Sequence, residues 1–216
     1  MAEHVVKKGD TAVVILIDEA GGEMRFRQEQ DSVLKLYVIR INRRGEETVT
    51  ADNIFVEQQG EHCQTEIYAL NYLCGNSTAS LHTHVYHDKG KGTSRQLVKF
   101  ILDDNARGEF YGELKIAQDA QETDAQQTNR NLLLSGKADM RTRPQLEIYA
   151  DDVKASHGAS TGQLDDSALF YMQQRGISPE TGRKMLIRAF MSDIIDSIPD
   201  EQKREMSVQA ADSIFN

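Results

Sequence analysis

The 216-residue chain is 39% apolar, which suffices for a sizeable hydrophobic core and fits one domain or one large domain with a small one. Its formal charge of −9 argues against nucleic acid as a partner, because nucleic acid selects basic surfaces. The longest apolar run near the start, residues 12–17, is far too short to span a bilayer or to serve as a signal sequence. We therefore expect a cytoplasmic protein with no membrane partner.

The first two thirds of the chain read as short strands. Runs rich in Val, Ile, Leu, Tyr and Phe are separated by Gly, Asn and Asp turn signals, and they occupy residues 13–17, 33–41, 64–70, 97–102 and 110–116. No helical stripe of comparable length lies between them, so the crossovers that a doubly wound sheet needs are missing. A sandwich, a barrel or a solenoid with coils of roughly 20 to 30 residues fits this pattern. Because no clean repeat is visible, the pattern divides about evenly between sandwich and solenoid.

After Asp165 the pattern becomes helical. Asp165 can cap a first helix that stops at Gly176, and Ser178 followed by Pro179 is a second start signal. A third helix is predicted over residues 200–215. The second helix has a broad apolar face that includes Leu186, Phe190 and Ile194. We expect a β-rich body over residues 1–160 and a helical part over residues 161–216 that docks on the body or on another protein.

Three histidines, His82, His84 and His87, lie in the stretch SLHTHVYHDKG. His82 and His84 share one face of a predicted strand, and two imidazoles in this arrangement can bind one metal ion. The spacing loosely resembles the HxH motif of metal-binding cupins, which suggests a cupin-like metalloenzyme as an alternative function. A cupin-like enzyme also needs a glutamate a few residues on, and here His87 and Asp88 stand there. Solvent-facing histidines at the end of a strand are the simpler interpretation.

The segment between residues 108 and 140 is rich in side-chain amides. Such amides suit ladders stacked between successive coils, so we expect a structural role for them. They are Gln118, Gln121, Gln126, Gln127, Asn129 and Asn131.

The stretch IYADDVKASHGASTGQLDD, residues 148–166, combines a strand-like run with two aspartates and a histidine. Asp151 and Asp152 are poor partners for general acid/base chemistry, because adjacent residues on a strand point to opposite faces. His157 stands beside Gly158, where backbone can approach a partner closely, and a neutral imidazole is a competent ligand for iron or zinc. A metal ligand and a plain loop histidine both remain open from these residues alone.

Two longer segments carry a resemblance to a known family. RPQLEIYADDVKASHGASTGQLDDSALFYMQQRGIS and the upstream GEFYGELKIAQDAQETDAQQTNRNLLLSGKADM resemble the SufB/SufD family, scaffold subunits of the SUF iron–sulfur cluster assembly system. The segment LEIYADDVK resembles the SufD branch of this family more than the SufB branch. The resemblance is specific over residues 108–195 and looser from His4 onward.

The resemblance implies a fold and partners. Family members have a right-handed parallel β-helix followed by a small C-terminal α-helical domain, and SufD is a non-enzymatic scaffold whose partner SufC hydrolyses ATP. One end of the β-helix pairs with a SufB-like subunit, or with a second copy of the chain in isolation. In this sequence the pairing strand is expected over Glu147, Ile148, Tyr149, Asp151 and Val153. The SufC-like ATPase is expected to dock on Leu186, Phe190 and Ile194.

The chain departs from the family pattern at Ala155. Family sequences commonly carry a cysteine there, and a methyl group binds no iron. The resemblance therefore implies His157 as the ligand of a transient iron–sulfur cluster at the subunit interface, with any thiolate supplied by the partner. The alternative is a mainly architectural subunit that holds no cluster in isolation. Family members usually carry a further N-terminal helical region, so this sequence is either a chain trimmed to its core or a short natural variant.

Overall fold

The computed structural model describes residues 3–43 and 45–215, and these residues form twelve strands and three helices. The strands are β1 (Glu3–Val6), β2 (Thr11–Ile17), β3 (Glu23–Gln28), β4 (Val33–Ile41), β5 (Val49–Gln58), β6 (Gln64–Leu73), β7 (Thr78–His87), β8 (Thr93–Leu102), β9 (Arg107–Ile116), β10 (Thr123–Leu133), β11 (Asp139–Ile148) and β12 (Val153–Gly162). The helices are α1 (Asp166–Gln174), α2 (Pro179–Ile195) and α3 (Glu201–Ser213).

The strands form two six-stranded parallel sheets, and successive strands alternate between them. Sheet A has the order β1-β3-β5-β7-β9-β11, and sheet B has the order β12-β10-β8-β6-β4-β2. The chain thus winds through one strand of each sheet per coil and makes about five coils. The predicted fold class, a parallel β-helix followed by a small helical domain, is confirmed, and the alternative of a sandwich is wrong.

The coils repeat every 29 to 31 residues, although the sequence shows no clean repeat. The register of sheet B places Val33, Gln64, Thr93, Asp124 and Lys154 at the same position in successive coils. The corner that enters sheet B has a left-handed residue in each of four coils, with φ between 58° and 61°, at Asp31, His62, Lys91 and Glu122. These four residues are of four different types, so the shared backbone conformation does not produce a repeated residue in the sequence.

The inner faces of the two sheets enclose one apolar core. Leu36 and Ile67 of sheet B and Val56 and Phe110 of sheet A are fully buried there. Each strand contributes alternate residues, because successive side chains of a strand point to opposite faces.

The helices cover the outer face of sheet B and share a second core with it. Tyr37, Leu70 and Ile101 of the sheet pack in one cluster with Met191 and Ile195 of α2. Sheet B is therefore buried on both faces, which explains the continuous apolar runs in β4, β6 and β8. The helical part therefore docks on the body. Along residues 3–43 and 45–215, no helix is both long and apolar enough to cross a membrane.

The predicted helix signals are confirmed. Asp165 Oδ1 accepts a hydrogen bond from Ser167 N at 2.8 Å, and Ser178 Oγ accepts one from Thr181 N at 3.1 Å. Gly176 follows α1 with φ of 81°, the left-handed stop that the sequence predicts. β12 ends at Gly162 and α1 begins at Asp166, so the secondary structure changes within a few residues of the expected boundary.

Polar contacts also tie the helices to the sheet. The Lys99 side chain is only 3% exposed, and its Nζ donates to Asp193 Oδ2 at 2.6 Å and to the Phe190 carbonyl at 2.7 Å. Burial lowers the pKa of Lys99, while Asp193 opposes this effect. Tyr37 Oη donates to the Ser197 carbonyl at 2.8 Å.

The Lys99–Asp193 pair predicts an asymmetric response to mutation. Asp193→Ala leaves the buried ammonium without its counter-charge and is expected to lower the free energy of unfolding by about 2 kcal/mol, since Asp193 is half exposed. Lys99→Met keeps the apolar stem and leaves Asp193 hydrated, so we expect a loss below about 1 kcal/mol. Urea unfolding of both variants measures the difference. Equal losses in the two variants would contradict this account of the pair.

Candidate functional site

The last coil of the solenoid contains the stretch that carries the predicted site. β11 ends at Ile148, residues 149–152 form a corner, and β12 begins at Val153. The prediction of one continuous strand from Glu147 to Val153 is therefore wrong. Asp152 N donates to Gln121 Oε1 at 2.9 Å and Ala150 is buried, so the corner is fixed to the preceding coil and breaks the strand.

β12 is an exposed edge strand. It pairs with β10 along ten residues, and no described residue of the chain pairs with its other edge. Its sequence, VKASHGASTG, consists mostly of small side chains, and all but Val153 and Ala155 are exposed. A strand of this kind offers unpaired backbone N–H and C=O groups to a further strand. The end of the solenoid is therefore an open binding edge.

His157 lies in the middle of this edge strand. Its register partner on β10 is Gln127, and the partner of Gln127 on β8 is Gln96. Gln96 and Gln127 are buried at inner-face positions, so His157 occupies the inner-face position of the last coil. The imidazole is exposed, because no described coil follows, and no described residue forms a hydrogen bond or ion pair with its ring.

The open end contains no thiol. Ala155 shares the inner face with His157 and packs at the margin of the inner core. The two cysteines, Cys63 and Cys74, flank β6, form no disulfide and are buried. Burial raises the pKa of the Cys63 thiol, whose Sγ lies 3.1 Å from the Glu29 carbonyl oxygen. Neither cysteine belongs to β11 or β12.

The other residues of the expected pairing segment surround the corner. Ile148 is 43% exposed and Tyr149 is 59% exposed, whereas Val153 packs against the inner core. Glu147 Oε1 accepts a hydrogen bond from Gln145 Nε2 at 2.8 Å, and Asp151 is exposed. The exposed apolar pair beside the corner widens the surface that a partner could cover.

The three residues expected to dock the ATPase differ in how far they are buried. Ile194 is fully buried in the core between α2 and sheet B, so it is unavailable to a partner and that part of the prediction needs correction. Leu186 and Phe190 are half-buried and line a surface depression of about 340 Å³. Ser160 and Thr161 of β12 line the same depression. This helix face therefore adjoins the open edge.

The histidines His82, His84 and His87 do not converge. His82 and His84 lie on the outer face of sheet A, where His82 Nε2 is 3.0 Å from Glu109 Oε1 and His84 Nδ1 is 2.7 Å from Glu113 Oε2. His87 points inward, is 1% exposed, and its Nε2 is 2.9 Å from Ser94 Oγ.

The geometry gives no support to a cupin-like site. Among residues 3–43 and 45–215, no group of three His, Cys, Asp or Glu side chains could hold a metal ion. The odd spacing between His84 and His87 places their side chains on opposite faces of β7, which explains why the sequence-adjacent histidines do not form a cluster.

The sequence did not show that three of the side-chain amides of β10 are buried. Gln127, Asn129 and Asn131 point inward and are buried, whereas Gln126 is exposed. Asn129 and Asn131 bond to each other along the strand, so the expected ladder between coils is present only in part. Because β10 is polar on both faces, its sequence has no alternation that could have identified Gln127 as the inner neighbour of His157.

Comparison with known proteins agrees with this fold. The family model described as SUF system FeS cluster assembly, SufBD core domain, matches residues 20–190. The chain belongs to the SufBD family. Members of this family act in iron–sulfur cluster assembly, and the family that the sequence suggested is confirmed.

Several curated relatives are similar to the chain. The iron-sulfur cluster assembly protein SufD of Escherichia coli (strain K12) is 41% identical over 153 residues, which are 71% of this chain and 36% of that protein. A SufBD family protein of Synechocystis sp. is 42% identical over 147 residues, or 68% of this chain and 32% of that protein. Protein ABCI7, chloroplastic, of Arabidopsis thaliana is 36% identical over 182 residues, or 84% of this chain and 38% of that protein. The chain thus spans about a third of the length of these relatives.

The buried His87 predicts a loss of stability in acid. Burial lowers its pKa from 6.5 to about 4, so between these values the unfolded state binds the proton that the folded state does not. The loss of stability begins as the pH falls below 6.5 and is complete at about pH 4, where it amounts to about 3 kcal/mol. His87→Gln, which copies the buried Gln58 of the preceding coil, should flatten this dependence in urea unfolding between pH 7 and 4.5.

His62→Gln serves as the control for this measurement, because His62 is an exposed histidine. It should keep the slope of the unmodified chain. An unchanged slope in His87→Gln would show that other groups cause the acid sensitivity.

Proposed function

We propose that the chain is a non-enzymatic, SufD-like scaffold subunit of an iron–sulfur cluster assembly complex. The observation that carries this proposal is the ten-residue strand β12, which is open along one edge and presents an exposed histidine in a chain of the SufBD family. An open strand edge serves association, because a partner strand can take up its unpaired backbone groups.

The partner at this edge is a SufB-like subunit, with a second copy of the chain as its substitute in isolation. Stacking another parallel coil on β11 and β12 would continue both sheets and cover Ile148 and Tyr149. The small side chains of β12 favour this contact, since they let a second backbone approach closely.

His157 is the proposed ligand of the nascent cluster, which is the cargo of the complex. Its ring is accessible, and an imidazole coordinates iron through a neutral nitrogen. Ala155 supplies no donor, so the thiolates that iron–sulfur clusters require come from the partner. The seam between the two subunits is the natural place for ligands from both chains to meet.

The helix face next to β12 is the proposed docking surface for a SufC-like ATPase. Leu186 and Phe190 remain partly accessible there, while the rest of the apolar face of α2 is buried against sheet B. An ATPase bound at this place would lie beside the subunit seam and could act on it.

Co-purification of the chain with SufB-like and SufC-like partners tests the two surfaces separately. Ala159→Lys places an ammonium on the exposed inner face of β12, so stacking a partner coil would bury an unpaired charge, and we expect loss of the SufB-like subunit. Leu186→Glu should release the SufC-like subunit alone, because the carboxylate would lie in the apolar contact.

Two exposed residues elsewhere provide matched controls. Val13→Lys adds the same charge on the edge strand at the opposite end of the solenoid, and Met206→Glu adds the same carboxylate on α3. Both should retain the complete complex. Retention of both partners by Ala159→Lys and Leu186→Glu would refute the assignment of the two surfaces.

The ligand role of His157 is tested by cluster content. In the assembled complex, His157→Ala should lower the iron and sulfide recovered by at least about 10-fold while the subunits still co-purify. His62→Ala, another exposed histidine, should keep the full content. A full iron and sulfide content in an intact His157→Ala complex would remove His157 from the cluster.

A further inference from the structure

The inner face of β10 carries three buried amides that face the last coil. Gln127 and Asn129 are 1% exposed, and Asn131 is 4% exposed. Their register partners on β12 are His157, Ala159 and Thr161. Two of these partners, His157 and Thr161, have polar side chains, and each stands opposite an amide.

Asn131 shows that an amide of β10 reaches its register partner. Asn131 Nδ2 donates to Thr161 Oγ1 at 3.1 Å. Asn129 stands opposite Ala159, which offers no polar group, and it bonds to Asn131 and to Thr142 Oγ1 at 2.7 to 3.0 Å. Both asparagines are thus fully engaged in the described structure.

Gln127 is the exception in this row. Its Nε2 and Oε1 are both buried, and neither has a hydrogen-bond partner. A buried amide is stable only with partners for these atoms, so a neighbouring group is expected to supply one. Because both atoms are free, exchanging the positions of nitrogen and oxygen would not change this finding.

The neighbours of Gln127 leave few candidates for its partner. A Cβ on Gly112 would lie 2.3 Å from Gln127 Nε2, so the amide fills space that only glycine leaves free. The register partner of Gly112 is Pro144, which has no donor. On sheet B, Gln127 lies between Gln96 and His157; Gln96 Oε1 accepts a hydrogen bond from Thr83, whereas Gln96 Nε2 is buried without a partner and can satisfy only the oxygen of Gln127, which leaves Gln127 Nε2 for His157.

We propose that Gln127 is a positioning residue for His157: its amide, which has no partner in the described side-chain positions, turns to take one ring nitrogen as its hydrogen-bond partner and holds the other at the open end of the solenoid. An amide can donate to an unprotonated ring nitrogen or accept from an N–H, so with either tautomer it fixes the orientation of the ring. A fixed orientation presents one defined nitrogen to a metal. The role of this ring nitrogen in cluster binding rests on the proposed function, whereas the contact between Gln127 and His157 does not.

The side chain of His157 can be observed directly in the isolated chain. Histidine labelled with ¹⁵N gives ring nitrogen resonances that report the tautomer, and His157→Ala identifies those of residue 157. We expect Gln127→Met, a near-isosteric apolar change, to move the His157 ring resonances towards those of a freely rotating imidazole. Gln127→Glu keeps an acceptor and should again hold the ring in one orientation, with a ring N–H towards residue 127.

Gln126→Met is the matched control, since it makes the same change one residue away on the exposed face of β10. It should leave the His157 ring unchanged. The resonances of the buried His87 report whether the core is intact in each variant. Where Gln127→Met does not fold, Gly112→Ala displaces the same amide and should produce the same change.

Two results would overturn the inference. A His157 ring that is unchanged in Gln127→Met and in Gly112→Ala has no contact with the amide, and an equal change in Gln126→Met points to a general effect on the strand. The measurement needs no iron and no partner. Normal cluster content in His157→Ala would therefore refute the ligand role and leave the positioning contact standing.

Discussion

The fold depends on one constraint, namely that each strand of a parallel stack must pair its backbone along both edges. Inside the solenoid the coils before and after a strand meet this requirement, but β11 and β12 have a described neighbour on one side only. Unpaired backbone donors and acceptors must be hydrated or covered by another chain. The two ends of the stack differ: β2 is TAVVILI, whereas β12 is VKASHGASTG. Small side chains make β12 the edge that a second backbone can approach.

The same stacking explains why the helices lie beside that edge. Sheet B has apolar residues on both faces, and α2 and α3 cover the outer one. The depression lined by Phe190 and Ser160 connects this cover to β12. In the proposed complex, a partner on the edge and an ATPase on the helices would thus be neighbours, and α2 would be tied to β8 of the same sheet through Asp193 and Lys99. Because the helices cover the outer face of sheet B, the two proposed surfaces, the β12 edge and the helix face, lie on the same sheet.

The sequence predicted most of the strands and helices, but fewer of the contacts between them. Helix caps such as Asp165 and Ser178 act within one turn, so the residue type alone predicts where the helix begins. The coil repeat was invisible because the corners need a left-handed backbone, which Asp31 and Lys91 adopt without a shared side chain. The break between β11 and β12 depends on a bond from Asp152 to a residue 31 positions earlier. Long-range contacts of this kind leave no local pattern in the sequence.

The burial of individual site residues was beyond the sequence for a related reason. Ile194 and Phe190 have the same helical spacing, yet only the position of sheet B decides that Ile194 is covered. His157 illustrates the opposite case: the residue is visible in the sequence, but its position opposite Gln127 of the preceding coil is not. In the proposed function, with Ala155 in place of a thiol, His157 is the ligand that this end of the chain contributes. A single imidazole binds usefully only when its direction is fixed, so the proposed contact with Gln127 would matter more here than it would beside a thiolate.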